Sequence, residues 1–387
     1  MEYRMEARGG PGPSLLGFGG LRFPVDGDGK VCEKTVGEMI DRAMEGGVTY
    51  YDTAWTYLGG QSESVLGRAL SRYPRESWCL ATKLPCWQIK SRAQAEEIFA
   101  RQLERAGVDY FDSYLFHTLT RDVWRRMVEL GVVELMEQYQ KQGLIRRFGF
   151  SFHDSYQAFE EILTARAWDC CLIQLNYLDV DFQAGLRGYR LAQSRGVPVL
   201  VMEPVKGGLL ANLPEDAARP FRALNPRASL ASWGMRWVAS LPNVGVVLSG
   251  MGAMEQVEDN LNTFGTFSPL SPEEQAAVEE VGEGLRRRLK NGCTGCRYCL
   301  PCPAGVDIPG AFQLWNKIAL GQSVQAARRS WEGMDREERP DQCYRCGQCE
   351  RRCPQHLPIR AQLAQVTGEV EAFLAQGCVS SKQAQEL

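Results

Sequence analysis

Short apolar runs alternate with amphipathic stretches over roughly the first 265 residues of the chain. The apolar runs predict strands at 15–17, 49–53, 78–83, 113–117, 147–152, 172–177, 198–204 and 244–250. Between them, apolar residues recur three or four positions apart, which predicts helices at 35–45, 94–106, 132–142, 156–165, 185–194 and 230–239. Alternating strands and helices require parallel pairing with crossovers. Eight such units match a closed (β/α)8 TIM barrel.

A doubly wound open sheet is the alternative fold for the same pattern. Such a sheet carries a glycine-rich phosphate loop after its first strand, and Gly17, Gly19 and Gly20 match that fingerprint only weakly. We therefore favour the barrel. At the start of the first long helix, Thr35 and Glu38 predict a capping box.

Composition narrows the class of protein. The chain has 387 residues and a net charge of −3, so nothing in it favours a nucleic acid or an anionic membrane as a partner. The first ten residues are charged and resemble no signal peptide, and no apolar run reaches membrane-spanning length. Fourteen cysteines without a secretory signal indicate a reducing compartment, and we expect the cytoplasm.

Eight of the cysteines form two tight motifs near the C-terminus. They are Cys293, Cys296, Cys299 and Cys302 in the first motif, and Cys343, Cys346, Cys349 and Cys353 in the second. Three cysteines spaced two residues apart, followed by a Cys-Pro, are typical of [4Fe-4S] clusters, and the fourth cysteine often binds the other cluster. Zinc and disulfides are the alternatives, but zinc sites use paired C-x-x-C motifs without a regular third cysteine.

The two cysteine motifs predict a second domain. Both are followed by similar segments, so we expect a pseudo-symmetric ferredoxin-like unit in which Cys302 and Cys353 each cross to the other motif's cluster. Ser271 and Pro272 predict the start of a connecting helix that runs to about residue 290, and 311–334 has a helical pattern. The predicted domains are a barrel at 1–270 and, at 271–387, a linker helix with a small, mostly helical iron–sulfur domain.

Four reactive side chains lie at or just after successive predicted strand ends: Asp52, Tyr57, Lys83 and His117. Barrel enzymes place their chemistry at the C-terminal ends of the strands. Carbonyl reduction by hydride needs such a set, because a tyrosine hydroxyl can protonate the developing alkoxide when a lysine ammonium favours its phenolate. An aspartate would hold the lysine, and a histidine would orient the carbonyl oxygen. Trp55, Trp87 and His153 are further candidates for lining a substrate pocket.

These segments resemble the aldo-keto reductases. The resemblance rests on Tyr51-Asp52-Thr53-Ala54-x-x-Tyr57, Ala81-Thr82-Lys83, Leu115-Phe116-His117, the opening Ser14-Leu-Leu-Gly-Phe-Gly-Gly20 and Glu203-Pro-Val-Lys-Gly-Gly208. It covers about residues 1–265 and implies that Tyr57 is the proton donor, with Lys83 and Asp52 as its partners and His117 as the orienting residue. The whole chain is similar to the subgroup of that family with a C-terminal ferredoxin-like extension.

The resemblance also implies a nicotinamide cofactor, NADP(H) or NAD(H). Ser151 and Gln174 match positions that hold the carboxamide, Asn260 matches a residue near the adenine, and Gly20 belongs to the opening motif. Gly250 and Gly252 precede a helix and could bind phosphate through backbone N–H groups. The sequence departs from the family at Phe152, at 202–204, and at Gln256, where an arginine often contacts the 2′-phosphate. NADP preference is therefore not secured.

Three functions remain open at this stage. The first is an ordinary reductase of small aldehydes or ketones that carries two [4Fe-4S] clusters. The second is a redox enzyme whose clusters exchange single electrons with a ferredoxin or another carrier; a bound flavin would connect one-electron and two-electron steps. The third is a non-catalytic redox sensor or regulatory subunit, which the intact set of Asp52, Tyr57, Lys83 and His117 disfavours.

Overall fold

The computed structural model describes residues 1–9 and 12–383, the last eight of these by their backbone alone. Its eight strands form a closed barrel in which each strand pairs in parallel with the next and the last pairs with the first. This confirms the predicted (β/α)8 barrel and excludes the open sheet. The strands are β1 Leu16–Gly19, β2 Tyr50–Asp52, β3 Cys79–Leu84, β4 Ser113–Leu119, β5 Phe148–Phe152, β6 Cys170–Gln174, β7 Val199–Met202 and β8 Val244–Ser249.

Helices follow the strands and continue beyond the barrel. They are α1 Glu33–Glu45, α2 Ser62–Leu70, α3 Arg92–Ala106, α4 Arg121–Glu129, α5 Val132–Lys141, α6 Tyr156–Thr164, α7 Gly185–Ser194, α8 Glu215–Leu224, α9 Leu230–Ala239, α10 Met254–Gly265, α11 Pro272–Arg288, α12 Ile308–Ala319, α13 Val324–Glu332, α14 Gln348–Arg352 and α15 Ile359–Gln383. No helix among the described residues is both long enough and apolar enough to cross a membrane.

Two helix starts show where local sequence rules succeed and fail. The predicted capping box of Thr35 and Glu38 is wrong, because α1 begins at Glu33 after Cys32 and Thr35 lies inside its first turn. At α11, by contrast, the Ser271 hydroxyl accepts from the Glu274 N–H at 3.2 Å, and the Glu274 carboxylate accepts from the Ser271 N–H at 2.9 Å. This reciprocal pair is a capping box, and such caps contribute about 1 kcal/mol to helix stability.

The chain forms two compact units. The first consists of Met1–Pro204 and Ser232–Gln275 and contains the whole barrel. Its interior is filled by alternate strand residues, among them Tyr50, Leu115 and Leu200. Gly17 leaves space for these larger neighbours, since a Cβ there would lie 2.6 Å from the Val246 side chain.

The second unit consists of Val205–Ala231 and the chain from Ala276 onward. Its core is formed by the apolar faces of α12, α13 and α15, with Phe312, Trp315 and Trp331 as the largest side chains. Five motif cysteines pack against this core as partly buried residues: Cys293, Cys299, Cys302, Cys343 and Cys353. The segment after β7 belongs to this unit as well: a Cβ at Gly207, whose φ is +63°, would lie 1.9 Å from the Thr294 carbonyl oxygen. Only glycine fits this close approach of two backbones.

Candidate active site and candidate metal centres

The four predicted reactive residues come together at one end of the barrel. Asp52 is the last residue of β2, Lys83 is the penultimate residue of β3, and Tyr57 begins the short 3-10 turn that follows β2. The Lys83 Nζ donates to Asp52 Oδ1 at 2.5 Å and to the Tyr57 hydroxyl oxygen at 3.2 Å. A third bond joins Lys83 to the Thr53 carbonyl at 2.8 Å. Lys83 is therefore the central residue of this cluster, and three acceptors hold its ammonium group in place.

Burial sets the electrostatics of this cluster. Lys83 is 1% exposed and Asp52 is 2% exposed, so each charge has lost its water. This desolvation lowers the pKa of Lys83 and raises the pKa of Asp52, while the ion pair between them counteracts both shifts. A buried pair of this kind is strongly coupled, and removing either partner would leave an uncompensated charge.

His117 packs against the same tyrosine. Its ring meets the Tyr57 ring edge-on at 5.8 Å between centroids, and the Trp87 ring lies 5.0 Å away on another side. Burial, together with the positive charge of Lys83, holds the pKa of His117 well below its ordinary value of 6.5. The imidazole is therefore neutral at physiological pH, and it has one N–H donor and one nitrogen acceptor.

The backbone at His117 departs from the predicted strand end. β4 continues to Leu119, but its register with β5 shifts between Phe116 and Leu119, and Thr118 has a φ of +55°. A β-branched residue in this left-handed region is an outlier, and such outliers concentrate at functional sites. The Ser151 hydroxyl accepts from the Thr118 N–H at 2.8 Å and supports this irregular backbone.

The other predicted pocket residues differ in their surroundings. Trp87 is 40% exposed beside His117 and can line an open pocket. Trp55 instead lies under the Arg105 guanidinium, 3.6 Å from its ring centroid, so packing occupies one of its faces. His153 lies 3.2 Å from the Gln183 side-chain oxygen through its Nδ1.

The residues predicted to hold a nucleotide occupy strand ends, the loop before α10 and α10 itself. Gln174 ends β6, and its amide donates to Asp179 at 2.9 Å. Asn260 donates to the Ser249 hydroxyl at 2.9 Å. Gly20 packs tightly beneath β2, because a Cβ there would lie 2.6 Å from the Ser62 hydroxyl and 3.1 Å from the Asp52 carbonyl oxygen.

The loop before α10 has the features of an anion site. A Cβ at Gly250 would lie 2.8 Å from the Arg22 side chain, and one at Gly252 would lie 2.9 Å from the Arg22 carbonyl oxygen. The N-cap residue Ala253 provides no side-chain cap, so the N–H groups of Met254 and Glu255 at the start of α10 are candidate donors to an anion, whereas the Gln256 N–H donates to the Ala253 carbonyl at 3.1 Å. Gln256 accepts from the Gly252 N–H at 2.8 Å.

The prediction from sequence missed a buried carboxylate that lies near Lys83. Glu63 on α2 is 1% exposed and accepts from Thr82 at 2.7 Å and from Gln102 at 2.6 Å. Gln102 also donates to the Lys83 carbonyl at 3.1 Å. This network therefore fixes the backbone of β3 at Lys83. Glu63 shares a helix face with Leu66 and Leu70, and an acid on an apolar face is the signal that could have revealed it.

The motif cysteines line two small cavities. The first cavity contains Cys343, Cys346 and Cys349 from one motif and Cys302 from the other. The second contains Cys293, Cys296 and Cys299 together with Cys353. Cys299 also borders the first cavity. Each cavity thus offers three cysteines from one motif and the fourth from the other, which is the donor set of a [4Fe-4S] cluster.

The cysteine thiols are available as ligands. All the cysteines whose side chains the structure describes are free thiols. Within the same residues, no three His, Cys, Asp or Glu side chains meet closely enough to hold a single metal ion. Burial raises the pKa of the Cys299 thiol to about 12, so this thiol would release a proton on binding a metal.

The cysteine loops share a pseudo-symmetric backbone. The residues on either side of the second cysteine have positive φ in both motifs: Gly295 and Arg297 around Cys296, and Arg345 and Gly347 around Cys346. Glycine and arginine exchange places between the motifs. Each loop thus keeps one arginine in a conformation that glycine adopts without cost.

Comparisons with known proteins agree with this architecture. The model of the aldo/keto reductase family matches residues 15–283, and that of a 4Fe-4S dicluster domain matches residues 292–357. The fold and its two kinds of site define a barrel oxidoreductase with an iron–sulfur domain. The chain belongs to the aldo/keto reductase family, as the sequence predicted.

The individual relatives have low sequence identity to this chain, but the matches cover most of their length. The chain is 26% identical to an NADH-specific methylglyoxal reductase of Escherichia coli over 73% of this chain and 96% of that protein. It is 24% identical to a probable voltage-gated potassium channel subunit beta of rice over 75% and 99%. Among solved structures, a holo aldo-keto reductase of Bacillus halodurans matches with a TM-score of 0.60 and 25% identity over 72% of this chain and 96% of that one.

Proposed function

We propose that the barrel reduces a small aldehyde or ketone to an alcohol. The observation that supports this most directly is the hydrogen-bonded set in which Lys83 joins Asp52 to Tyr57 while the neutral His117 packs against Tyr57. The fold family implies a nicotinamide nucleotide, which supplies a hydride when it is bound. The protein must then supply one proton, because a carbonyl becomes an alcohol by gaining a hydride and a proton.

Tyr57 is the proton donor in this proposal. Its hydroxyl gives a proton to the developing alkoxide, and the Lys83 ammonium at 3.2 Å stabilises the phenolate that remains. Asp52 keeps the lysine charged and in place despite its burial. Neutral His117 can donate a hydrogen bond to the carbonyl oxygen and so fix the substrate beside Tyr57.

The nucleotide would be held by residues at the same strand ends. Ser151 and Gln174 would hold the carboxamide, Gly250 and the start of α10 would bind phosphate, and Asn260 would lie near the adenine. The Gly252 N–H already donates to Gln256, so Gly252 would contribute close packing of the loop and not a donor. Gly20 would allow close approach at the β1 loop. NADH as well as NADPH is expected to serve, because Gln256 is committed to the Gly252 N–H and offers no charge for a 2′-phosphate. The relative named as NADH-specific is in line with this expectation.

The second unit would hold two [4Fe-4S] clusters, each in one of the four-cysteine cavities. Such clusters store and pass single electrons. A cluster-coupled redox enzyme, with a flavin between the hydride and single-electron steps, is the second candidate. The solvent exposure of Cys346 favours it, because a purely structural cluster needs no access from outside. Thiolate ligands are best preserved in a reducing compartment, so we expect the protein in the cytoplasm.

The direct test is methylglyoxal reduction by the iron-loaded protein and its Tyr57→Phe variant, with NADH and with NADPH. Removing the proton donor should lower kcat by about 100-fold to 10,000-fold and change KM little. Tyr156→Phe is the matched control, since this hydroxyl contacts Glu160 on the outer helix α6. Turnover by Tyr57→Phe at the wild-type rate would refute the proton-donor role.

A further inference from the structure

The second cysteine motif reaches the surface. Among the motif cysteines that the structure describes, Cys346 is exposed whereas the others are buried or partly buried. Its neighbour Tyr344 is 61% exposed, which is unusual for a large aromatic side chain. Both residues border the cavity of Cys302, Cys343, Cys346 and Cys349. Aromatic side chains such as tyrosine are enriched at protein–protein interfaces.

Positive charge is concentrated around this mouth. Residues 343–361 contain four arginines, at 345, 351, 352 and 360, and a single carboxylate, Glu350. That carboxylate is paired with Arg360 at 2.6 Å. In the part of the chain that the structure describes, Arg345, Arg351 and Arg352 are exposed and form no ion pair. The whole chain carries a net charge of −3, so this basic surface is a local exception.

Arg345 has a left-handed backbone, as does its counterpart Arg297 in the first motif, but the two arginines border different cavities. Arg345 has a φ of +64°, whereas the first motif has Gly295 at the equivalent position. Glycine would adopt this conformation without strain. Arg345 also borders both the cysteine cavity and an adjoining open depression lined by Glu350, His356 and Arg360. A strained residue at such a junction points to a function for its side chain.

We propose that the surface formed by Tyr344, Arg345 and Cys346, with Arg351 and Arg352 at the end of the adjoining helix α14 adding positive charge, is the docking site for a small acidic protein that carries single electrons. This inference rests on the proposed function, in which the adjoining cysteines hold a [4Fe-4S] cluster. In the exchange, the reduced carrier loses one electron and the cluster gains one, with no bond formed and no proton transferred. Complementary charge would direct the carrier to the cavity that the exposed Cys346 borders.

The test uses the anaerobic, iron-loaded protein and an acidic bacterial ferredoxin as the probe. Binding is measured by calorimetry at 50 mM and 300 mM salt, and electron transfer is followed by stopped-flow bleaching of the cluster absorbance after mixing with the reduced ferredoxin. Arg345→Gln and Arg345→Gly should each weaken binding about tenfold at low salt, and Arg345→Lys should weaken it less than threefold. High salt should weaken wild-type binding more than it weakens either uncharged variant.

Two control variants remove the same kind of positive charge at other positions in the chain. Arg297→Gln removes the pseudo-symmetric arginine, which is also exposed and left-handed but borders the other cavity. Arg286→Gln/Arg287→Gln removes two charges from α11. Both controls should bind within twofold of the wild type, while Arg351→Gln/Arg352→Gln should lose about tenfold.

Three outcomes would each overturn the docking site, and the measurements distinguish them. Failure of the wild type to bind ferredoxin at 50 mM salt with full iron content would refute it. An unchanged affinity in Arg345→Gln and Arg345→Gly, accompanied by a shifted cluster potential, would mean that Arg345 only balances the charge of the cluster. Absence of iron after reconstitution would instead refute the proposed metal centres and the docking site together. Loss of aldehyde reduction alone would concern the barrel and leave this proposal standing.

Discussion

Exchange of the fourth cysteine between the two motifs can be tested by iron content. Each cavity is lined by three cysteines of one motif and the fourth of the other, so Cys293 and Cys353 belong to the same cavity although 60 positions separate them in the chain. The double variant Cys293→Ala/Cys353→Ala should therefore damage one site and leave the other complete. Two intact [4Fe-4S] clusters contain eight irons, so this variant should keep about four irons per chain.

The matched double variant gives the opposite expectation. Cys293→Ala/Cys302→Ala removes two cysteines of a single motif, but the structure assigns them to different cavities. Both sites then have only three cysteines, and iron content should fall from about eight toward zero. If each motif instead bound its own cluster, the results of the two variants would be exchanged.

The assay is iron and sulfide quantification after anaerobic reconstitution, with the integrated electron paramagnetic resonance signal of the dithionite-reduced protein as a second measure. Circular dichroism serves as the folding control, because the cysteines pack against the helical core of α12, α13 and α15 and metal binding is coupled to folding in such domains. About four irons in Cys293→Ala/Cys302→Ala, with near zero in Cys293→Ala/Cys353→Ala, would refute the exchange.

Two further predictions concern stability. Burial and the charge of Lys83 hold the pKa of His117 below 6.5, so below that pH the unfolded chain binds a proton that the folded chain does not. The free energy of unfolding should fall by about 1.4 kcal/mol per pH unit below pH 6.5, down to the folded-state pKa. Urea unfolding of His117→Gln should lack this component, and equal slopes would contradict the reasoning. Gly67→Ala on α2 would bring a Cβ within 2.1 Å of the Ala106 carbonyl oxygen and should destabilise the protein by about 1–3 kcal/mol. Gly284→Ala on α11 meets open space and should stabilise the protein by up to about 1 kcal/mol. Both glycine variants are measured by thermal unfolding. If both substitutions stabilised the protein, α2 and α3 would have to be able to move apart.

Much of the fold could be predicted from local patterns. Strand and helix periods are properties of neighbouring residues, and eight alternating units admit few closed arrangements. The predicted strand ends then placed Asp52 and Lys83 on one face of the barrel before any contact between them was known. Their convergence with Tyr57 in the structure follows from the parallel register of β2 and β3.

Helix boundaries and strand irregularities were predicted less accurately than the order of the elements. The capping box at Thr35 failed because α1 starts two residues before it, at Glu33. The strand end predicted at His117 missed the register shift that carries β4 to Leu119. This shift depends on Thr118 and its bond to Ser151 on the neighbouring strand, a contact between residues 33 positions apart.

The sequence by itself determined the order of the elements, the cysteine motifs and the identity of the candidate catalytic residues, because periods and spacings are encoded locally. Only the tertiary structure decided which groups are buried and which reach the surface. It buried Glu63 behind Lys83 and exposed Cys346 beside an unpaired arginine. Solvent exposure depends on how distant segments pack, and it sets both the pKa of a buried group and the access of a partner to a site.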